Sequence, residues 1–513
     1  MNMNIKLLKI AFLSVVALCA SNLNIVTAQA QTVGQAEQHR PQFHFSPKEH
    51  WMNDPNGMVY YNGVYHLFYQ YFPGATVWGP MHWGHATSRD LFHWQEQPVA
   101  LYPDSLGYIF SGSIVIDKDN TSGLGKDGKI PMVAIFTHHD PKLEEKKVNN
   151  FQSQSIAYSL DEGSTWTKFA GNPILPNPGI TDFRDPKVMW YEAGKKWIMT
   201  LATKDRITFY SSKDLKDWKK ESEFGRDLGA HGGVWECPDL FPLKHGGKTV
   251  WVLLVSINPG GPNGGSATQY FTGDFDGSKF MPGSTAEKWL DYGTDNYAGV
   301  TWSNTGNRKI FIGWMNNWQY ANQVPTKAWR GATTIARDLS LEQVAGEMYV
   351  RSLPVKETDV QLKPVFKKKS LTFNRETDLS AYVRDLDGRL KLELTFNAMN
   401  STEIVLSNKK GNQLLVGYDS KEKRYYIDRS NSGIADFEKG FARKHIAPRI
   451  GRSANVKISL ILDVASVELF ADDGLTVMTD IFFPEEVINR LKISGTGKQK
   501  ITDLDISTIP AYK

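Results

Sequence analysis

From about His39 to Arg351 the hydrophobic positions come in short β-rich runs, such as Met58-Val59-Tyr60-Tyr61, Tyr65-His66-Leu67-Phe68-Tyr69 and Trp251-Val252-Leu253-Leu254-Val255. Each run is broken by Gly, Pro, Asn or Asp, and long amphipathic helical patterns are absent, so the pattern predicts strands joined by turns. A weak repeat runs through the region: Ser88-Arg89-Asp90 to Trp94, Ser159-Leu160-Asp161 to Trp166, and Ser212-Lys213-Asp214 to Trp218. Its spacing of roughly 50 to 70 residues suits four-stranded propeller blades with insertions, and the segment accommodates five. Beyond Leu353-Pro354 a polar stretch runs on to Lys367-Lys368-Lys369. Strict alternation then starts again at Leu390, Leu392, Leu394 and Phe396, and at Val456, Ile458, Leu460 and Leu462. The expected architecture is therefore all-β, a five-bladed β-propeller over 39–351, a linker over 352–365 and a β-sandwich over 366–513.

The first 30 residues differ from everything after them. A cationic start at Lys6 and Lys9, an apolar run from Ile10 to Ala20 and the small-residue exit Ala28-Gln29-Ala30 read as a signal peptide cleaved near Ala30. The apolar run is short of the roughly 20 residues a spanning helix needs, so export without a membrane span is expected. Cys19 follows Leu18 where a lipid-anchor site calls for a small residue, which argues against anchoring. Cleavage leaves Cys237 as the sole cysteine, so packing and not a disulfide must hold the mature chain. The formal charge of +4 falls by the two charges of Lys6 and Lys9, which is no footprint for nucleic acid.

Three acidic residues of the first unit share a local setting: Asn53-Asp54-Pro55-Asn56-Gly57, Arg184-Asp185-Pro186 and Trp235-Glu236-Cys237-Pro238. Proline directly after Asp54 and Asp185 biases them to extended backbone and limits their motion. Taken alone, Asn-Asp-Pro-Asn-Gly reads as a surface turn. Three such motifs, separated by a blade or more in a fold whose inner strands converge on one channel, would instead build one acidic pocket. Two carboxylates roughly 5 to 5.5 Å apart support double-displacement glycoside hydrolysis, one attacking the anomeric carbon and the other protonating the leaving oxygen. Trp51, Trp78, Trp83, Trp302, Trp314 and Trp318 lie near these motifs and offer faces for sugar rings, although packing between blades accounts for most aromatics.

These residues resemble glycoside hydrolase family 32, the β-fructosidases that include levanase, exo-inulinase and invertase. The resemblance rests on Trp51-Met52-Asn53-Asp54-Pro55-Asn56-Gly57, Arg184-Asp185-Pro186 and Glu236-Cys237-Pro238 in that order. It continues through Gln70, Trp78, Trp83-Gly84-His85-Ala86, Phe110-Ser111-Gly112-Ser113 and Gly313-Trp314-Met315-Asn316-Asn317-Trp318. It implies Asp54 as nucleophile, Glu236 as acid/base and Asp185 as transition-state stabiliser, with Asn53, Gln70, Trp78, Ser111, Arg184 and Trp314 lining a fructose site. The implied substrate is a fructan or sucrose, with no cofactor. Ala336 departs from the family, whose members often carry proline before the arginine.

His138-His139 lack a partner at metal-ligand spacing, so no metal is expected. Competing readings are an inverting enzyme acting on arabinan or xylan, an endo-acting fructanase, a fructosyltransferase and a non-catalytic carbohydrate-binding propeller. The retention of Asp54, Asp185 and Glu236 together argues against the last. Linkage preference, end-wise or internal cleavage, and oligomeric state are open at this level.

Overall fold

The computed structural model describes residues 37–512. The expected leader, its cleavage site near Ala30 and Cys19 lie outside the described residues. Within them the chain is an all-β structure, a five-bladed propeller followed by a sandwich-like domain.

Each blade is a four-stranded antiparallel meander, and the five innermost strands are His50–Tyr61, Tyr108–Ile116, Phe183–Tyr191, Val234–His245 and Tyr297–Thr301. Each of these packs beside the next, and the fifth returns to the first, so the ring is closed. Closure is reinforced where Trp329–Arg330 pairs in parallel with His50-Trp51 and where the Tyr60 amide donates to the Ser303 carbonyl. The Ser-x-Asp repeat has a common structural meaning. In the first three blades it makes the turn from third to fourth strand, the Ser88, Ser159 and Ser212 hydroxyls donating to Asp90, Asp161 and Asp214. The aspartates in turn accept amides of the turn, which supplies partners the ladder no longer provides.

The fifth blade's outer strand ends at Pro354, the short helix Lys356–Asp359 follows, and Lys363–Asp378 forms a 16-residue strand. The lysine run expected to belong to a polar stretch therefore lies inside a strand. That strand bonds only to Arg490–Thr508 and leaves its other edge to water, so outward lysines replace the alternation that would have revealed it. Arg490–Thr508 pairs through residues 490–495 with Thr402–Ser407 and through residues 501–508 with Leu390–Asn397. One strand thus serves both layers, and the ten strands form a single bent sheet. Leu390, Leu392, Leu394, Phe396, Val456, Ile458, Leu460 and Leu462, the alternating positions of the sequence, are all buried in the core between its layers.

The sandwich docks on the side of the propeller through buried charges. Arg337 bonds Glu468 and Asp291, and Arg429 bonds Asp295 (2.7 Å), all fully buried. A loop of blade four also reaches the sandwich strand Lys444–Pro448, where Asn263 Nδ2 donates to the Ile446 carbonyl (2.8 Å).

Candidate active site

All five innermost strands slip register at the same level, near the start of the strand. The shifts fall between Met52 and Pro55, Ile109 and Gly112, Arg184 and Lys187, Glu236 and Asp239, and Tyr297 and Val300. Such bulges bend a strand and re-aim its side chains, and here they turn Asp54, Ser111, Asp185, Glu236 and Tyr297 toward one another. Pro186 and Pro238 fit because they fall in the unpaired stretch of a bulge, where the strand has no ladder amide to forfeit, while Pro55 stands where pairing resumes opposite Tyr69. Asp185 (φ 65°) and Cys237 (φ 46°) take left-handed backbone within these bulges, a conformation that persists only where the surroundings enforce it, and Asp185 thereby departs from the extended geometry expected before Pro186.

Asp54 accepts from Asn53 Nδ2 at Oδ1 (2.8 Å) and from Ser111 Oγ at Oδ2 (2.8 Å). Asn53 is itself oriented by Trp51 Nε1, which donates to its Oδ1 (2.8 Å). Burial and the nearby Glu236 carboxylate push the Asp54 carboxyl above its ordinary value, while Asn53 and Ser111 pull it back toward ionisation. Cys237 joins Asp54 to Asp185: its sulfur lies 3.6 Å from Asp54 Oδ2 and 3.7 Å from Asp185 Oδ2, and its amide donates to Asp185 Oδ2 (3.1 Å). Burial pushes Asp185 up to about 7, with Glu236 and Asp54 adding to the shift and Arg184 opposing it.

Glu236 is held at both oxygens. Arg184 donates to Oε1 from Nε (3.1 Å) and Nη2 (2.9 Å), and the Tyr297 hydroxyl donates to Oε2. Asp182 braces the far side of the guanidinium. Further along the same strands Lys187 pairs with Asp239 (3.5 Å), which also accepts from the Thr301 hydroxyl (2.7 Å).

Asp54, Asp185, Glu236, Asn53, Ser111 and Arg184 are thus brought into one bonded group. Gln70, Trp78 and Trp314 stand around it without bonding the carboxylates. Gln70 Nε2 and Trp314 Nε1 are buried and have no hydrogen-bond partner among the described residues. Trp314 meets Trp51 (6.0 Å) and Trp318 (4.9 Å) with tilted rings, and Trp78, 38% exposed, meets Phe110 edge-on (6.2 Å). Trp83 and Trp302 offer no face to a ligand; their indoles donate to the Phe110 and His66 carbonyls inside the blades. Sequence reasoning missed Tyr297 and Asp182. Asn296-Tyr297-Ala298 carries no punctuating proline, so only the match of Tyr297 to Trp314 across the ladder reveals it.

Carboxyl groups held in such different environments are the equipment of glycoside hydrolysis. The family models for the N-terminal and C-terminal domains of glycosyl hydrolases family 32 match residues 44–352 and 357–508. The chain belongs to glycosyl hydrolases family 32. Like other members, this family 32 chain is a glycoside hydrolase, a β-fructosidase of fructans or sucrose. It is 47% identical over 483 residues to a levanase of Bacillus subtilis (strain 168), covering 92% of this chain and 70% of that protein. It is 41% identical over 498 residues to an extracellular exo-inulinase of Aspergillus awamori, covering 90% and 92%. The crystal structure of exo-inulinase from Aspergillus awamori superposes with a TM-score of 0.84 at 38% identity, covering 93% of this chain and 99% of that one. A β-fructofuranosidase from Schwanniomyces occidentalis complexed with fructosyl-erythritol gives 0.83 at 32% identity, covering 93% and 98%.

Proposed function

We propose that this family 32 chain is an exported, retaining β-fructosidase that releases terminal β-D-fructofuranosyl units from levan or inulin, and from sucrose, through a fructosyl-enzyme intermediate. Asp54 attacks the anomeric carbon, Glu236 protonates the leaving oxygen and then takes a proton from water, and Asp185 accepts hydroxyls of the fructosyl unit as charge develops on its ring. Asn53, Gln70, Trp78, Ser111, Arg184 and Trp314 line the fructosyl pocket. Residues 1–30 act as the cleaved export signal, and the sandwich over 366–513 supports the propeller.

The observation that carries the reading is the different dressing of the two carboxyl groups. Asp54 has a neutral donor on each oxygen, which favours the ionised nucleophile without a cation to blunt it. Glu236 keeps Oε2 beside a hydroxyl that serves either protonation state. The unpartnered Gln70 and Trp314 donors support a polyhydroxyl ligand, whose oxygens would meet them.

A time course of products from levan, inulin and sucrose, offered separately, tests the proposal. Fructose alone from the earliest times is the expected result and names the linkage. Oligosaccharides appearing first would make the enzyme endo-acting. Proton NMR of the first-formed sugar tests the stereochemistry, since initial release of the inverted anomer is incompatible with a two-step scheme.

A further inference from the structure

The geometry around Glu236 distinguishes its two oxygens. Oε1 receives two N–H groups of one guanidinium, which engage its lone pairs and leave no site for a proton. Oε2 receives only the Tyr297 hydroxyl. Tyr297 is buried and its hydroxyl bonds no other side chain among the described residues. It opens the innermost strand of the fifth blade at the register shift, opposite Trp314 in the ladder and followed by the left-handed Ala298 (φ 53°).

We propose that Tyr297 is a positioning residue for proton transfer: it keeps the transferable proton of Glu236 on Oε2, directs the leaving oxygen to that atom, and stabilises the carboxylate left behind. This rests on Glu236 being the acid/base. In the first step the Oε2–H bond breaks and a bond from that hydrogen to the leaving oxygen forms. The anomeric carbon–oxygen bond breaks with its electron pair going to the leaving oxygen, and an Asp54 oxygen bonds to the carbon. Throughout the step the Tyr297 hydroxyl donates to the lone pair of Oε2 that does not carry the transferred hydrogen, so this bond strengthens as Oε2 loses its proton and gains charge. In hydrolysis a water O–H bond breaks as its hydrogen passes to Oε2, the water oxygen bonds to the anomeric carbon, and the bond from that carbon to Asp54 breaks with its electron pair returning to the carboxylate.

The charged and titratable groups facing this pair are Arg184 with Asp182 behind it, the Asp54 and Asp185 carboxyls, and the Cys237 thiol. None of them donates to Oε2, so none replaces Tyr297. A hydrogen bond to a group gaining charge is worth about 10- to 100-fold in rate. Its loss matters only where proton donation matters.

The test compares kcat/KM for sucrose with that for a nitrophenyl β-fructofuranoside, whose leaving group needs little protonation, in Tyr297→Phe, Glu236→Gln and the double variant. Tyr297→Phe should lower the sucrose value about 10- to 100-fold, leave the aryl value within about 3-fold, and move the basic limb of the sucrose profile up by about one pH unit. The double variant should match Glu236→Gln on sucrose. Equal losses on both substrates for Tyr297→Phe, or a further drop in the double variant, would overturn the proposal while Glu236→Gln stays selective. An unselective Glu236→Gln overturns the acid/base reading and the proposal together. Tyr297→3-fluorotyrosine keeps shape and hydroxyl, so it guards against a folding defect in the phenylalanine variant. Its stronger donor should move the basic limb down, and an unmoved limb overturns the proposal.

Discussion

Arg337 of the fifth blade grips Glu468 of the sandwich with Nε (3.2 Å) and Nη2, both side chains fully shielded from water. The same guanidinium reaches Asp291 (2.9 Å) and the Thr479 hydroxyl (2.7 Å), so it closes the seam between the domains. Removing one partner of a buried pair leaves an uncompensated charge. Arg337→Met should therefore cost about 3 to 5 kcal/mol in denaturant unfolding. A loss below about 1 kcal/mol would mean the seam is held by apolar packing alone.

The seam also carries a pH dependence. His44 bonds Asp463 Oδ2 (2.9 Å) and Glu468 Oε1 (2.8 Å) inside it. Burial opposes its charge, but the two carboxylates outweigh burial and raise His44 from 6.5 to about 9. Glu468 moves the other way, to about 2: burial would raise it, and Arg337 and His44 overcome that. A raised histidine stabilises fully below its unfolded value and loses that contribution as pH climbs through about 9; a depressed carboxylate stabilises above about 4.5 and loses it as pH falls through about 2. The melting temperature should fall between pH 6.5 and 9.5, and His44→Gln should flatten that descent. An equally steep descent in the variant would place its cause elsewhere.

How much of this was legible in the sequence varies with the distance over which residues act. The Ser-x-Asp repeat marked three blades because each turn completes its own hydrogen bonds within a few residues. Blade four makes the equivalent turn at Asp276, which accepts the Ser278 and Lys279 amides, yet no serine precedes it in the repeat's register. The carboxylates were legible because Pro55, Pro186 and Pro238 punctuate them. Tyr297 was not, because its partner is 61 positions away. Ala336 stands in the seam beside Arg337, whose partner Glu468 is 131 positions on, and no local pattern announces such a pair.

Ser111 offers a sharper probe of the pocket than removal of a carboxylate. Its hydroxyl bond lowers Asp54, against burial and the Glu236 charge, which raise it. Ser111→Ala should raise Asp54 further, so the acidic limb of kcat/KM moves to higher pH. At the optimum kcat/KM should drop about 10-fold, the worth of one hydrogen bond to a charged acceptor. An unmoved acidic limb would separate Ser111 from the ionisation of Asp54.

Cys237 lies against two carboxylates, and burial with their charges holds its thiol well above the ordinary range. The thiolate is the reactive form, so native protein should resist thiol-specific labelling near neutral pH. Denatured exported protein should take up one label per chain if the proposed cleavage after residues 1–30 removes Cys19. Two labels would indicate that residues 1–30 are retained; rapid labelling of the native state would contradict the buried, protonated thiol.

Gly57 shows how far the pocket depends on the backbone beneath it. Its φ of 58° is left-handed, and a Cβ there would come 2.8 Å from the Trp83 ring and 3.2 Å from Phe68. Left-handed backbone costs a residue with a Cβ about 1 to 2 kcal/mol, and overpacking a core adds about 1 to 3 kcal/mol. Trp83 cannot yield freely, because it is fully buried and its indole donates to the Phe110 carbonyl (3.0 Å). Phe110 directly precedes Ser111, so a shift of the indole is passed to the hydroxyl that bonds Asp54. Gly57→Ala should therefore lower stability by about 2 to 5 kcal/mol, and the protein that remains folded should show the acidic-limb shift of Ser111→Ala. Lower stability with an unchanged pH profile would mean that the indole absorbs the clash without passing it to Ser111.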